Sequence, residues 1–161
     1  MKISKPYKNA KITDISQGFS YNHPAIDMVA NYGEFLVAPE NCIVDVIVSS
    51  DVLDESLAPL DRGYGIRLKS IANSIPSADT LHIFWHTLPI FPVAVGDLVL
   101  QGQIVGQMGN SGSVRIGDKW IPVEVRTKKP YLGTHVHWQY ILNGVPKNPL
   151  DYIDWDLEPR Y

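Results

Sequence analysis

The chain has too few cysteines to form a disulfide. Cys42 is the single cysteine among 161 residues, so an internal disulfide and a zinc site built from several thiolates are both excluded. We expect Cys42 to be a small buried residue at the start of a strand. The cysteine content therefore does not indicate the compartment in which the protein works.

Long hydrophobic runs are also missing. The apolar stretches at 43–48 and 81–85 are far shorter than the roughly 20 residues that a membrane-spanning helix needs, so no transmembrane segment is predicted. Lysines are frequent in the first 11 residues, but no apolar stretch follows that could form the core of a signal peptide. A net charge of −3 without a long basic run argues against nucleic acid as the main partner.

Sustained helical periodicity is absent from residue 30 onward, whereas 12 glycines and 12 prolines punctuate short segments rich in β-branched residues. We therefore predict a mainly β, single-domain fold, an antiparallel β-sheet sandwich or barrel-like arrangement. The predicted strands are Phe35–Ala38, Ile43–Ser49, Gly65–Lys69, Thr80–His86, Leu98–Val105, Trp120–Arg126 and His135–Leu142. The predicted turns are Asp61–Gly65, Gly96–Asp97 and Asn143–Gly144.

The stretch Val95–Gly109 reads as a strand, a tight turn at Gly102 and a returning strand, so we predict a hairpin there. Lipoyl and biotinyl carrier domains have a similar sequence pattern around a modifiable lysine. Residues 95–112 contain no lysine, which excludes a carrier role for this hairpin.

Two sequence-distant parts of the chain offer metal-binding side chains. In an extended strand, His135 and His137 share one face, so one imidazole can hold a metal ion while the other acts on a water. His23 and Asp27 are four positions apart, and Pro24 disfavours a helix at His23. On a straight strand these two side chains would be roughly 13 Å apart, so the chain must bend if both bind one ion. Imidazole and carboxylate ligands together suit zinc.

A further pair of histidines lies in Leu81–Leu88. Strand alternation would put His82 and His86 on one face, whereas a helix would make them an alternative metal-binding pair. Thr80, Ile83 and Trp85 favour the strand. We take His86 as the catalytic candidate and His82 as either a groove residue or a strand-filling imidazole.

These motifs, in this order, resemble the lysostaphin-type (LytM-like) zinc metallopeptidases, a family of peptidoglycan endopeptidases. The resemblance covers about residues 17–153 and is carried by His23–Asp27, Trp85–Leu88, Val95–Gly112, His135–His137 and Asn148–Leu150. It implies a fold of the duplicated hybrid motif type, with the whole of 1–161 as one peptidase domain. Residues 1–16 would be a lead-in. From its own composition, the aromatic and acidic tail 151–161 is expected to dock through Tyr152 and Trp155.

The resemblance also implies a site with one Zn²⁺ ion. The expected ligands are His23, Asp27 and His137, which leave a coordination position for water. His135 is then expected to be the general base and His86 to steady the developing oxyanion, although either imidazole can carry the proton to the leaving amine. This implies an enzyme, a zinc endopeptidase that hydrolyses cross-bridges or stem peptides of bacterial peptidoglycan.

The setting implied by the resemblance is less specific. We expect a monomer that is extracellular, in the cell envelope (periplasm or cell wall) or associated with a phage, as a bacteriolytic lysin is. The alternative function is that of an inactive relative, which binds cell-wall peptide or activates another wall hydrolase without cutting.

The main departure from the family pattern is Ser113–Thr134, a 22-residue insertion where relatives have only a few residues. Its net charge is +3, while the rest of the chain carries −6. We expect it to form a wall of the substrate groove and to meet peptide carboxylates, or else to be a solvated hairpin. The candidate groove residues are Tyr21, His82, Arg115 and Lys119.

Overall fold

The computed structural model of the chain describes residues 2–49, 62–71 and 79–159. The strands in these ranges are β1 (Ile15–Gln17), β2 (Ile26–Met28), β3 (Phe35–Val37), β4 (Cys42–Val48), β5 (Tyr64–Ser70), β6 (Thr80–Thr87), β7 (Leu98–Val99), β8 (Ile104–Gln107), β9 (Arg115–Ile116), β10 (Lys119–Trp120), β11 (Val136–Leu142) and β12 (Val145–Lys147). The helices of the same ranges are α1 (Val123–Lys128) and two 3₁₀ helices, Ile12–Asp14 and Pro149–Asp151. Among the described residues, no helix has the length and apolar character needed to cross a lipid bilayer.

One large antiparallel sheet organises the molecule. Its strand order is β1, β2, β11, β6, β5, β4 and β7, and β12 also pairs with β11. β3 pairs with β8 and β9 pairs with β10 in two separate small sheets. The predicted mainly β, antiparallel fold is confirmed. The large sheet is open, with β1 and β7 at its edges in the described part of the chain, so it does not close into a barrel.

One face of the large sheet carries the hydrophobic core. Ile26, Met28, Phe84, Val136 and Trp138 are fully buried on this face, and they pack against the β3–β8 sheet. Because successive side chains of a strand point to opposite faces, the residues between them lie on the other face. We call that second face of β2, β11 and β6 the outer face.

Three residues of the outer face form a row across neighbouring strands. His137 of β11 is the cross-strand partner of Asp27 on one side and of Trp85 on the other. Directly paired residues have Cβ atoms roughly 4.5–5.5 Å apart. Strand pairing therefore brings Asp27 and His137 together although they are far apart in sequence.

A β-bulge in β6 places one histidine on an unexpected face. Tyr64 pairs with Thr87 and Gly65 pairs with Trp85, so His86 is an extra residue in its strand and has a φ of +62°. Alternation alone would put His86 beside His82 on the core face. The bulge turns its ring toward His135 instead, with a centroid distance of 4.6 Å. The expected shared face of His82 and His86 was therefore wrong.

Two predicted elements differ from the structure for identifiable reasons. The predicted strand Trp120–Arg126 is wrong, because β10 ends at Trp120 and α1 begins after Pro122. Proline lacks an amide hydrogen for a strand ladder and is well tolerated at a helix start. The predicted hairpin around Gly102 is also wrong: β7 pairs with β4 and β8 pairs with β3. The glycine turn exists, with a φ of +83°, but it joins two different sheets.

Both ends of the described chain pack onto the core. Ile3 is buried and forms a parallel bridge with Ile153. Tyr7 is also buried in the core, and Tyr152 and Trp155 pack against it. The predicted docking of the tail through its aromatic residues is confirmed.

Candidate metal centre

Three side-chain atoms converge at one end of the outer face. His23 Nε2 lies 3.3 Å from Asp27 Oδ1 and 3.3 Å from His137 Nδ1, and the last two atoms are 2.8 Å apart. Ligand atoms that each lie roughly 2.1 Å from a tetrahedral zinc ion are separated from one another by roughly 3.4 Å. The three atoms, which we call the tripod, are therefore spaced closely enough to bind one such ion.

Two kinds of local structure position the tripod. Asp27 and His137 are fixed by the β2–β11 pairing. His23 lies in the connection before β2, where its amide donates to the carbonyl of Ser20 and its carbonyl accepts from Ser20 and Ala25. These bonds fold the chain back on itself around Pro24. This is the bend that the spacing of His23 and Asp27 requires, and His23 is not part of a helix.

Backbone carbonyls fix the tautomers of three histidines around the tripod. The Nδ1 atoms of His23, His86 and His135 lie within 3.0 Å of the carbonyl oxygens of Gly18, Ser111 and Gly133 respectively. A carbonyl only accepts, so each Nδ1 carries the hydrogen and each Nε2 has a lone pair. His23 Nε2 is therefore ready to bind a metal ion, and the other two Nε2 atoms are ready to accept protons.

His86 and His135 stand beside the tripod. The His86 ring lies 4.6 Å from the His135 ring and 6.0 Å from the His137 ring, measured between centroids. His135 Nε2 lies 3.9 Å from Asp27 Oδ2. The two accessory histidines thus face the tripod from one side, and the structure brings together all five residues that the resemblance assigned to the site.

Burial keeps His86 neutral. Desolvation lowers the pKa of His86 to about 3, with further lowering from the charge of His135. Burial also lowers the pKa of His137, although its hydrogen bond with Asp27 acts in the opposite direction. For Asp27, burial opposes ionisation, but the hydrogen bond from His137 and the nearby histidines outweigh it, so its pKa lies below the ordinary value. The site therefore combines a carboxylate with two histidines, His86 and His137, whose neutral form is favoured by burial.

The glycine-rich segment after β8 braces the His86 bulge. Besides accepting from His86 through its carbonyl, Ser111 donates through Oγ to the carbonyl of Thr87 at 2.6 Å. The amide of Tyr64 donates to the same Oγ at 3.0 Å. A Cβ atom on Gly63 would lie 2.4 Å from the backbone of Ser111, so this close approach requires glycine. The segment therefore holds His86 in its left-handed conformation.

The structure adds one residue that the sequence did not suggest. A guanidinium nitrogen of Arg62 donates to His137 Nε2, and the Arg62 carbonyl accepts from the His86 amide at 3.1 Å. Arg62 lies two residues before β5, inside a predicted turn whose residue 61 lies outside the described residues. No motif marks this arginine, because its position beside His137 depends on the pairing of β5, β6 and β11.

The four candidate groove residues lie in different environments. His82 is wholly buried on the core face, where Nε2 contacts Glu40 at 2.8 Å and Nδ1 accepts from Trp138 at 3.3 Å. His82 therefore does not line a groove, because its strand presents it to the core. Tyr21 is fully exposed in the loop before His23. Arg115 and Lys119 are exposed on the β9–β10 hairpin, with the Arg115 guanidinium 3.9 Å from the ring centre of Trp120.

No protein-family model and no curated protein sequence matches the chain. Solved structures do. A peptidase M23 from Pseudomonas aeruginosa is 20% identical, with a TM-score of 0.63, over 94% of this chain and 49% of that one. A zinc-containing peptidase from Vibrio cholerae is 16% identical, with a TM-score of 0.63, over 96% of this chain and 41% of that one. The catalytic domain of the antimicrobial peptidase lysostaphin from Staphylococcus simulans is 20% identical, with a TM-score of 0.54, over 94% of this chain and 90% of that domain.

These likenesses establish the fold. The chain spans about half the length or less of the Pseudomonas and Vibrio proteins and nearly the whole lysostaphin catalytic domain. The chain therefore has the LytM-like fold that the order of its motifs predicted.

Proposed function

We propose that this chain is a zinc-dependent endopeptidase that hydrolyses peptide bonds in bacterial peptidoglycan, in cross-bridges or stem peptides. The observation that carries the proposal is the tripod of His23, Asp27 and His137, with the imidazoles of His86 and His135 beside it. The fold supports a hydrolase, because structures that share it include M23 peptidases.

The donor set of the tripod fits a zinc ion. Two imidazole nitrogens and one carboxylate oxygen are ligands that zinc accepts in catalytic sites, where three protein ligands leave one position open. Zinc held there would supply Lewis-acid chemistry, lowering the pKa of a water and polarising the scissile carbonyl. The hydrogen bond of His23 Nδ1 to the Gly18 carbonyl orients this ligand from behind.

His135 has the geometry of a general base. Its Nδ1 hydrogen is engaged by the Gly133 carbonyl, so Nε2 can take a proton from an attacking water on the side of Asp27. The protonated imidazole can then return that proton to the leaving amine. Asp27 Oδ2 lies 3.9 Å from this nitrogen, so the base stands beside the tripod.

The tautomer of His86 refines its expected role. With Nδ1–H donating to Ser111, the neutral ring presents a lone pair at Nε2 and accepts a hydrogen bond or a proton. It can donate to a developing oxyanion only after Nε2 has gained a proton. His86 is therefore suited to accept a hydrogen bond from the attacking water and to share the proton with His135.

The outer face of the sheet supplies a floor for a peptide. Trp85 and Gln139 follow the tripod across β6 and β11, and Trp85 Nε1 donates to Gln139 Oε1 at 3.1 Å. Polar and aromatic groups side by side suit an extended peptide, which needs partners for its backbone amides and packing for its side chains. We place the substrate along this face, outside the cell or in its envelope.

Cleavage of purified peptidoglycan tests this proposal. Zinc-loaded wild type should release new amines and fragments detectable by mass spectrometry, and the fragments identify the bond. His137→Ala should lose both zinc and cleavage. His135→Ala should keep zinc and lose cleavage by about 10²–10⁴-fold, the usual contribution of a general base.

Metal content measured on the same samples separates the alternatives. Loss of zinc from His135→Ala would contradict its role as a base. Absence of cleavage by zinc-loaded wild type on several wall chemistries would favour the alternative function, a relative that binds cell-wall peptide or activates another hydrolase.

A further inference from the structure

Arg62 is anchored at the metal centre by its backbone and its side chain. Its carbonyl accepts from the amide of His86, which ties the segment before β5 to the bulge. Its guanidinium donates to His137 Nε2, the ring nitrogen that is not part of the tripod. The side chain is therefore held against a candidate ligand.

The partners of His137 determine which of its nitrogens carries hydrogen. A guanidinium has only donors, so Nε2 must accept and hold a lone pair. A carboxylate oxygen accepts, so Nδ1 must donate to Asp27 Oδ1, which lies 2.8 Å away. In this arrangement the hydrogen is on Nδ1, the nitrogen that belongs to the tripod.

This tautomer is the opposite of the one that a metal ligand needs. A neutral imidazole that binds a metal through Nδ1 carries its hydrogen on Nε2, and that hydrogen normally points to a carboxylate or carbonyl oxygen. Here Nε2 faces a cation that has only donors. His23 differs, because its hydrogen bond to the Gly18 carbonyl already leaves the tripod nitrogen with a lone pair.

We propose that Arg62 and a divalent metal ion compete for His137. This inference rests on the proposed metal site. While Arg62 holds Nε2, His137 cannot present a lone pair at Nδ1, so metal binding requires the guanidinium to leave Nε2. The positive charge of Arg62 also opposes a divalent cation at the tripod. Arg62 is thus a positioning residue that weakens metal binding and stabilises the metal-free arrangement of the site.

Zinc affinity, measured by competition with a chromophoric chelator, tests the proposal. Arg62→Met removes the charge and the donors but keeps a similar length, and it should bind zinc roughly 10–100-fold more tightly than wild type, the range by which groups behind a ligand change metal affinity. Arg62→Lys keeps a cationic donor and should stay close to wild type. A merely structural role for Arg62 would make both variants equal to wild type or weaker.

Arg67→Met is the matched control. Arg67 lies on β5, the strand that follows Arg62, and is paired with Asp45 at 2.5 Å and not with a residue of the tripod. Its substitution should leave zinc affinity unchanged. Equal or weaker zinc binding by Arg62→Met than by wild type would overturn the proposal.

The ¹⁵N shifts of the His137 ring in metal-free protein provide a second test that needs no zinc. Wild type should show hydrogen on Nδ1, and Arg62→Met should shift the ring toward the Nε2–H tautomer. A wild-type ring with hydrogen on Nε2 would contradict the inference. If neither protein took up zinc, the proposed function would fail, while the ¹⁵N shifts would still decide the position of the hydrogen.

Discussion

At the residue scale, the absence of a side chain on Gly65 leaves space for the ring of Trp85. A Cβ atom on Gly65 would lie 2.3 Å from Trp85 Cε3 and 2.5 Å from the Phe84 carbonyl oxygen. Trp85 is nearly buried on the outer face, where it packs with Val48 and Ile83. The floor of the proposed groove therefore depends on a glycine in the neighbouring strand.

Gly65→Ala should lower the free energy of unfolding by about 2–3 kcal/mol, because the added methyl group meets a backbone atom and a buried ring. Urea unfolding monitored by tryptophan fluorescence measures the effect. Gly18→Ala is the control, since a Cβ atom there would meet nothing within 4 Å. Equal midpoints for the two variants would show that the strands shift to accept the methyl group.

At the element scale, strand alternation predicted β11 well and failed at β6. Val136–Leu142 alternates regularly, so placing His137 on one face required only its position in the run. In β6 the extra residue at His86 breaks the count. A bulge with a left-handed histidine is set by tertiary contacts, here with Ser111, and leaves no local signal.

The short strand β2 was not predicted from the sequence, for a reason other than a bulge. β2 is only three residues long and follows Pro24 closely, so its apolar pattern is too short to separate from a loop. Its existence depends on pairing with β11. The three candidate ligands could be selected from the sequence by residue type and motif order, whereas the bend that brings His23 to Asp27 is a property of the fold.

The inserted segment 113–134 is attached firmly beside the site. Arg126 is buried and donates to the carbonyls of Ile121 and Asn110. The Asn110 side chain in turn donates to the carbonyls of Pro130 and Leu132, both at 3.0 Å. The insertion is therefore braced against the segment that holds His86, which supports its proposed role as a groove wall.

Charge reversal on the β9–β10 hairpin should reveal whether the insertion meets acidic peptides. Arg115→Glu combined with Lys119→Glu should weaken binding to carboxylate-rich stem peptides by roughly tenfold at low salt and less at high salt, because exposed charges are screened. Pull-down with insoluble peptidoglycan measures this, and zinc content should not change. Lys8→Glu combined with Lys11→Glu, at two exposed lysines outside the insertion, makes the same change in net charge and is the control. Weakening of the same size in that variant would exclude a local role for the hairpin.

At the scale of the whole molecule, composition and motif order were sufficient for the fold class, and three-dimensional packing was needed for the rest. The lack of helical periodicity predicted a mainly β fold, and the order of the motifs predicted that this fold is LytM-like. Arg62 could not be predicted, because only the assembled sheet brings it to His137. The burial of His82 likewise depends on which face of β6 meets the core.

The metal-free protein should lose stability as the pH falls below about 6.5. Folded His86 resists protonation until about pH 3, whereas the unfolded residue titrates near its ordinary pKa of 6.5. The unfolded state therefore binds more protons between these values, and His86 should cost about 2 kcal/mol of stability between pH 7 and pH 5. Urea midpoints in the presence of a chelator measure this loss.

His86→Asn is the matched variant for the pH experiment, because asparagine tolerates a positive φ and does not titrate. Its stability should fall less than that of wild type over the same range. Parallel profiles for the two proteins would assign the acid sensitivity to groups other than His86.

The pairing of Asp27 with His137 joins positions that are 110 residues apart. An ion bound to both would close a loop of that length, and in the chain-entropy model a cross-link over about 100 residues removes entropy worth roughly 4–5 kcal/mol from the unfolded state. Among the strands of the described residues, β2 pairs with β1 on one side and with β11 on the other, so β1 joins the large sheet through β2 and β11. Metal binding would therefore cross-link this edge of the sheet. When the ion is bound, the first strands of the protein should become the part most protected from local unfolding and proteolysis.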